Sequence, residues 1–238
     1  MKHKLFIYTI LLLLTSSVFA RQKVLVFSKT KGWHHTSIPA GVNAIIKLGH
    51  EHNFEVDTTT NSEKFTYDNL KHYAAVIFLS TTGDVLNDAQ QAEFEKYIRA
   101  GGGFVGVHSA TDTEYDWPWY GNLVGAYFKS HPAQQFAVLH VIDRNFIATK
   151  HLPADWRRFD EWYNFKWMAP NLHVLITIDE KSYKGGTMGD NHPMSWYHSY
   201  DGGRAFYTEL GHTDEAYSDP LYLQHLLGGI MYAMGRKK

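Results

Sequence analysis

Histidines are the residues of this chain whose chemistry is most suggestive. His108 stands in the stretch GVHSA, directly after the apolar strand pattern FVGV. A turn that follows a strand in this way is similar to a nucleophile elbow, in which serine would take the place of the histidine. Imidazole is suited to proton transfer or metal ligation rather than to the covalent chemistry of a serine. We therefore predict that His108 marks a functional site, with Ser109, Thr111 and Asp112 beside it.

The elements before His108 predict the scaffold that positions it. Short runs at 23–28, 54–59, 74–80 and 104–108 read as strands, and helical patterns separate them. This alternation predicts an α/β fold, a single doubly wound domain with a mostly parallel sheet. Ligands bind beyond the carboxyl ends of such strands, where His35 and His108 both fall.

Two helices have recognisable first turns. Asn87 and Gln90 have capping-box spacing at the start of a helix that a glycine stop ends at Gly101. Ser37 is expected to cap an earlier helix, with Pro39 in its first turn. Both helices would lie between strands of the parallel sheet.

The second half of the chain is less regular. Strand patterns occur at 136–143 and 173–179, a hairpin is predicted around Asp201, and an apolar helix closes the chain at 221–235. The aromatic-rich segments between these elements predict long functional loops. They are 111–132 and 152–170.

The first 20 residues have the pattern of an export signal. Lys2 and Lys4 precede an apolar run at 5–14, which is shorter than the roughly 20 residues that a membrane span requires. We expect cleavage after Ala20, a mature domain at 21–238 and a periplasmic or secreted location. No stable membrane insertion is expected after cleavage.

Composition excludes several classes of function. A net charge of −1 and a pI near 7.0 give no electrostatic reason to expect a nucleic-acid partner. The chain contains no cysteine, which excludes thiol nucleophiles and thiolate metal sites. Gly101, Gly103 and Gly106 match G-x-G-x-x-G but end a helix and enter a strand, so we expect no nucleotide cofactor. The oligomeric state is left open.

Five blocks of the sequence, in order, resemble the ThuA-like family, which is named for trehalose utilisation. The resemblance implies a flavodoxin-like sheet related to class I glutamine amidotransferases, with an added C-terminal hairpin and helix. It also implies that His108 replaces the elbow cysteine of those amidotransferases. The blocks are FSKTKGWHHTSIP, GGGFVGVHSATDT, YFKSHP, DEWYNF and HPMSWYHSYDGGRAFYTELGH.

The resemblance and the strand-end positions together suggest the site residues. Tryptophan and tyrosine neighbours are expected to desolvate the Glu161 carboxyl and raise its pKa. The expected catalytic residues, which are also the candidate ligands of a divalent metal, are His108, His212, Glu161 and His35. The expected substrate-binding residues are Ser109, Asp112, His131, Trp162, His192, Arg204 and Tyr207.

The family resemblance implies an enzyme of carbohydrate catabolism that acts on a disaccharide or a 3-keto-glycoside by acid–base chemistry. His108 or His212 would be the base, Glu161 the acid, and His35 or a bound metal would stabilise an oxyanion. Two alternatives stay open: a non-catalytic carbohydrate-binding or accessory protein, and a metal-dependent hydrolase. Nothing but residue type recommends other histidines, such as His225, for a site.

Overall fold

The computed structural model of the chain describes residues 21–236. The export signal predicted for residues 1–20 lies outside this range. No helix within the described range is long and apolar enough to cross a membrane. The α-helices are α1 Ile38–Glu51, α2 Tyr67–Leu70, α3 Asp88–Arg99, α4 Pro118–Val124 and α5 Pro220–Ala233. The strands are β1 Lys23–Phe27, β2 Glu55–Thr59, β3 Ala75–Leu79, β4 Gly103–Val107, β5 Ala126–Ser130, β6 Gln135–Val141, β7 Asp155–Asp160, β8 Asn164–Met168, β9 His173–Ile178, β10 Pro193–Tyr200 and β11 Gly203–Thr208.

A mixed nine-stranded sheet in the order β2-β1-β3-β4-β11-β10-β9-β6-β7 forms the centre of the fold. Neighbouring strands from β2 to β11 in this order are parallel. The remaining pairings, from β11 to β7, are antiparallel. The predicted alternation of strands and helices over 23–108 is therefore present, and it builds the parallel half of the sheet.

The two segments predicted as long loops contain regular structure instead. The first includes α4 and β5, and the second includes β7 and β8; β5 and β8 pair in a separate two-stranded sheet. Strand β7 lacks an apolar alternation because its inward side chains are Trp156, Arg158 and Asp160. Two of those three are charged, so the period-2 signal that identifies a half-buried strand is hidden.

Only one of the two predicted helix starts has a capping hydrogen bond from its side chain. The capping box of Asn87 and Gln90 at the start of α3 is formed in both directions. Ser37 occupies the N-cap position of α1 with Pro39 in the first turn, as predicted, but its side chain makes no capping hydrogen bond to the helix. Its buried hydroxyl donates to the carbonyl of Gly211 at 3.4 Å, which ties the start of α1 to the segment after β11.

His108 lies at a strained turn directly after β4. Its φ of 50° is in the left-handed region, which costs free energy for any residue other than glycine. A short 3₁₀ helix at His108–Asp112 follows. The strand-to-turn geometry predicted for this segment is therefore present, and it holds the imidazole at the carboxyl edge of the parallel strands.

His225 on α5 is completely buried in the core. Its Nδ1–H donates to the carbonyl of Ala148 at 2.8 Å, and the Thr208 hydroxyl lies 3.2 Å from Nε2. Burial lowers the pKa of His225 to about 3, although the bond to Ala148 acts in the opposite direction. The ring is therefore neutral in the folded protein at neutral and mildly acidic pH.

We expect this buried ring to make stability depend on pH. Below pH about 6.5 the unfolded chain gains a proton that folded His225 does not accept until about pH 3, so stability falls as pH falls. Between pH 6.5 and 5 this amounts to about 2 kcal/mol, at about 1.4 kcal/mol per pH unit. Urea unfolding at both pH values should show the loss in the wild type and a smaller loss in His225→Gln. The exposed His72→Gln serves as control and should keep the wild-type slope.

Candidate functional site

Four side chains from distant parts of the sequence converge on one point. His35, His108, Glu161 and His212 each offer a nitrogen or oxygen atom, and these atoms all lie within 4.8 Å of one another. His108 Nε2 is 3.1 Å from His212 Nδ1 and 3.5 Å from Glu161 Oε2, and the latter two atoms are 3.1 Å apart. The four candidate catalytic residues are thus brought together as predicted.

The parallel half of the sheet positions two of these histidines. His108 follows β4 at the strained turn, and His35 lies between β1 and α1. His108 Nδ1–H donates to the carbonyl of Glu209 at 2.8 Å, so in the neutral ring Nε2 carries the lone pair. The hydroxyl of Ser109 lies 3.4 Å from His35 Nδ1 and fixes the other ring. Both rings are buried.

Asp160 connects Glu161 and His212, the two residues of the centre that come from the second half of the chain. Glu161 directly follows β7, and His212 follows β11. Asp160 Oδ1 accepts the backbone N–H groups of Glu161 and His212, each at 3.1 Å. Asp160 Oδ2 accepts from Arg158 Nη2 at 3.0 Å and from the N–H of Gly211 at 3.2 Å. This buried carboxylate therefore sets the spacing between Glu161 and His212.

A cavity of about 380 Å³ opens onto the four-residue centre. His108 is completely buried and does not line it, whereas His212 has 17% of its side chain exposed. Trp33 is 71% exposed at its rim and offers a flat apolar face. Such a mixture of aromatic and polar groups suits a small polar ligand with apolar faces. The lining residues are Trp33, His35, Asp112, Phe128, His131, Gln134, Glu161, Tyr163 and His212.

A second, wider groove adjoins this cavity. Its volume is about 640 Å³, and Gln134 and His212 line both spaces. Phe159 contributes an exposed ring, and Asp214 and Glu215 contribute carboxylates. A ligand too large for the cavity alone can therefore extend into the groove.

Glu161 is ionised, contrary to the sequence prediction. Burial alone would raise its pKa, but hydrogen bonds to His108 and His212 and the electrostatic influence of these two rings outweigh this effect and hold the pKa well below its usual range. A carboxyl with a depressed pKa is a poor proton donor near neutral pH. Glu161 is thus suited to orient a histidine or to ligate a cation, and the predicted role as general acid is not supported.

His35 and Asp112 have shifted pKa values as well. Burial, and to a lesser extent the proximity of His108 and His212, lowers the pKa of His35 to about 2. The ring is therefore neutral and keeps a lone pair. Burial also raises the pKa of Asp112, although a hydrogen bond from the Tyr115 hydroxyl opposes the shift. Perturbed groups of this kind gather at functional sites more often than elsewhere.

His131 lines the cavity, and its contacts define which ring nitrogen carries the hydrogen. Its Nδ1 lies 2.9 Å from the carbonyl of Pro132 and 3.0 Å from Glu161 Oε1. Because both neighbours are acceptors, Nδ1 carries the hydrogen and Nε2 of the neutral ring carries the lone pair. No hydrogen bond to Nε2 is formed within residues 21–236, and the side chain is 42% exposed.

Other predicted binding residues divide into two groups. Asp112 and His131 line the cavity, and Ser109 lies behind it against His35. Tyr207 is buried and donates to the carbonyl of His108 at 2.7 Å, so it supports the turn and does not line the cavity. Arg204 lies at the amino end of β11, where it donates to the carbonyls of Gly101 and Ala233, and its predicted binding role at this centre was wrong.

Trp162 and His192 are also placed in the core rather than on the cavity. The Trp162 indole donates to the carbonyl of Gln135 at 2.9 Å and is fully buried. His192 contacts Glu180 Oε1 and the carbonyl of Tyr163, each at 2.8 Å. These partners satisfy the polar atoms of both rings, so neither ring contacts a ligand in the cavity.

Sequence reasoning missed Gln134, Phe128, Tyr163 and Glu209. The amide of Gln134 lies 2.7 Å from His212 Nε2, and Phe128 and Tyr163 line the cavity. Glu209 is fully buried behind His108, and burial raises its pKa well above the usual range. Gln134 lies between a predicted loop and a predicted strand and carries no distinctive signal, and Glu209 was recognisable only by its proximity to His212 in the sequence.

These features define the class of protein. It is an α/β protein with a mixed sheet, and its histidine-rich site lies at the turn after β4, beside the ends of the parallel strands. Residues 23–233 match the family model described as "ThuA: Trehalose utilisation". The chain therefore belongs to the ThuA family. No curated protein matches its sequence.

Solved structures agree with this assignment. A putative ThuA-like protein from Bacteroides uniformis is 26% identical over 90% of this chain and 91% of that chain, with a TM-score of 0.77. One from Parabacteroides merdae is 22% identical over 92% of both chains, with a TM-score of 0.73. A β-galactosidase from Bacillus circulans sp. alkalophilus is 14% identical with a TM-score of 0.59, and the match covers 91% of this chain but 31% of that chain. The likeness to the β-galactosidase shows the fold alone.

Proposed function

We propose that this protein is an enzyme of carbohydrate breakdown that cleaves a glycoside or disaccharide oxidised to its 3-keto form. The observation that carries the proposal is the convergence of His35, His108, Glu161 and His212 beside a cavity lined by aromatic rings. Membership in a family described by trehalose utilisation supports the substrate class. The adjoining groove supports a substrate with more than one ring.

A 3-keto sugar needs only proton transfer and stabilisation of negative charge. A base removes the proton at C2, and the electron pair forms an enolate whose charge lies on the C3 oxygen. Collapse of the enolate breaks the bond between C1 and the leaving oxygen, which takes up a proton. Water then adds across the double bond of the resulting enone, with its oxygen at C1 and a proton at C2, so the net reaction is hydrolysis. No oxidant, reductant or covalent nucleophile is consumed.

His131 is assigned as the base that removes the C2 proton. The sequence had suggested His108 or His212, but His108 is completely buried, and both ring nitrogens of His212 contact other protein atoms. His131 lines the cavity, its Nε2 has no hydrogen-bond partner within residues 21–236, and Glu161 orients its Nδ1–H. A carboxylate that fixes the tautomer of a catalytic histidine in this way is a recurring arrangement.

The enolate oxygen is stabilised by the convergent centre. Charge that develops in a water-excluded site is best stabilised by groups already fixed in position. His35 and His212 line the cavity, and His108 supports them from behind. Asp112, whose pKa is raised by burial, is placed to return a proton to the leaving oxygen.

Several finer expectations belong to this proposal. Export to the periplasm or beyond fits the N-terminal pattern, and a carbohydrate ligand fits the family. The strand order β2-β1-β3-β4-β11 supports a flavodoxin-like arrangement, and the antiparallel β10–β11 pair supports the added hairpin. The relation to class I glutamine amidotransferases rests on the turn at His108.

The function is tested by supplying the purified protein with 3-keto-trehalose, a 3-keto-glucoside and the matching unoxidised sugars. We expect release of the aglycone or second sugar from the 3-keto compounds only. Exchange of the C2 hydrogen with solvent deuterium, followed by NMR, should accompany release. Saturable binding with neither exchange nor release would overturn the enzymatic proposal in favour of a carbohydrate-binding protein.

A further inference from the structure

We propose that His35, His108, Glu161 and His212 form a binding site for one divalent first-row transition ion of the Zn²⁺ class. The first support is geometric. Zinc–nitrogen and zinc–oxygen bonds of about 2.1 Å place tetrahedral ligand atoms about 3.3 to 3.4 Å apart. The separations among three of the four ligand atoms, His108 Nε2, His212 Nδ1 and Glu161 Oε2, are 3.1, 3.5 and 3.1 Å, and the ligand nitrogen of His35 lies within 4.8 Å of each of them.

The outer ring nitrogens provide the second support. Metal-bound imidazoles usually direct their other nitrogen at a protein acceptor, which fixes the ring and its tautomer. Nδ1 of His108 donates to the Glu209 carbonyl, and Nδ1 of His35 lies by the Ser109 hydroxyl. Nε2 of His212 is 2.7 Å from the Gln134 amide, whose oxygen can face it after an amide flip. Each ring is thus held from its outer side.

Charge provides the third support. Glu161 is buried, and all its ion-pair partners within residues 21–236 are histidines. Since no lysine or arginine in that range lies within ion-pair distance, only a protonated histidine or an added cation can neutralise its charge. In the ion-free protein, a proton on His212 Nδ1 can be shared with Nε2 of His108 or with Glu161. A divalent ion would displace that proton.

The donor set selects the class of ion. Three imidazoles and one carboxylate favour zinc and its first-row neighbours, whereas magnesium and calcium prefer an all-oxygen set. His212 and Glu161 border the cavity, so a bound sugar would have to add as a fifth ligand from that side. The use of the ion rests on the proposed function, where it would stabilise the enolate oxygen. The binding itself does not depend on turnover.

The test uses untagged protein stripped with chelator and titrated with Zn²⁺ and Co²⁺ by calorimetry. We expect one ion per chain, release of protons that depends on pH, and a visible Co²⁺ spectrum typical of nitrogen and oxygen ligands. His35→Ala, His212→Ala and Glu161→Gln should each weaken affinity at least 10-fold. His34→Ala, which alters the neighbouring exposed ring, and His140→Ala should bind as the wild type does.

Two results would overturn the inference: no stoichiometric uptake of zinc, cobalt, manganese or nickel by the wild type, or unchanged affinity in folded His35→Ala and His212→Ala. The wild-type Co²⁺ spectrum and proton release decide the matter even where a variant does not fold. Binding without turnover of any 3-keto sugar would defeat the proposed function alone. Turnover that persists in metal-free protein without stoichiometric uptake would defeat the metal site alone.

Discussion

Replacement of His131 by alanine is expected to lower kcat on a 3-keto-glycoside by about 10²- to 10⁴-fold, the range typical of a general base. The effect follows because His131 lines the cavity and its Nδ1 contacts Pro132 and Glu161, which leaves the lone pair on Nε2. KM should change little, because the ring is half exposed and the aromatic lining of the cavity remains. Steady-state kinetics over a range of pH measures both constants.

A matched control distinguishes catalysis from a surface effect. His140 is also about half exposed, at 46%, and its Nδ1 lies 2.8 Å from Asp155 Oδ1. His140→Ala removes a similar carboxylate-paired imidazole outside the cavity and should leave kcat unchanged. His131→Ala should also lose the limb of the pH profile that reports the base, and added imidazole should restore part of the rate. A fall of less than threefold in His131→Ala would remove His131 from the mechanism.

Much of the parallel half of the fold could be predicted because its signals are local. Asn87 and Gln90 satisfy each other within one helical turn, and the apolar run of β3 is buried on both faces. His35 and His108 follow strands of one parallel sheet, so the strand-end rule places them together. These inferences require no knowledge of how the second half folds.

The rest of the site depends on contacts that no local pattern reveals. Arg158 and Asp160 face inward on β7 as a buried ion pair, which conceals the strand. Trp162 suggested a ligand platform by its type, but Gln135, far away in the sequence, satisfies its indole. Glu161 was expected to have a raised pKa from its aromatic neighbours, and the approach of two histidines reverses the direction. Residue type alone cannot decide between such competing effects.

Replacement of Asp160 by asparagine is expected to destabilise the protein by about 3–5 kcal/mol, the usual cost of breaking a buried ion pair. Both oxygens of Asp160 accept hydrogen bonds, from Arg158, Gly211, Glu161 and His212. An asparagine side chain keeps one acceptor oxygen, but its NH₂ group would face N–H donors, with which it cannot form a hydrogen bond. Arg158, with 6% of its side chain exposed, would lose the carboxylate at 3.0 Å that balances its charge.

Asp219→Asn is the control for this loss, because Asp219 contacts the same guanidinium from a partly exposed position at 3.4 Å. That variant should lose no more than about 1 kcal/mol, as expected for a pair in contact with solvent. Urea unfolding of both variants measures the difference, and equal losses would show that Asp160 has no special structural role.

Any folded Asp160→Asn protein should also bind metal more weakly, because the backbone of Glu161 and that of His212 would no longer be joined through one carboxylate. If its metal affinity matched the wild type, the spacing of those two ligands would have to be set by other contacts.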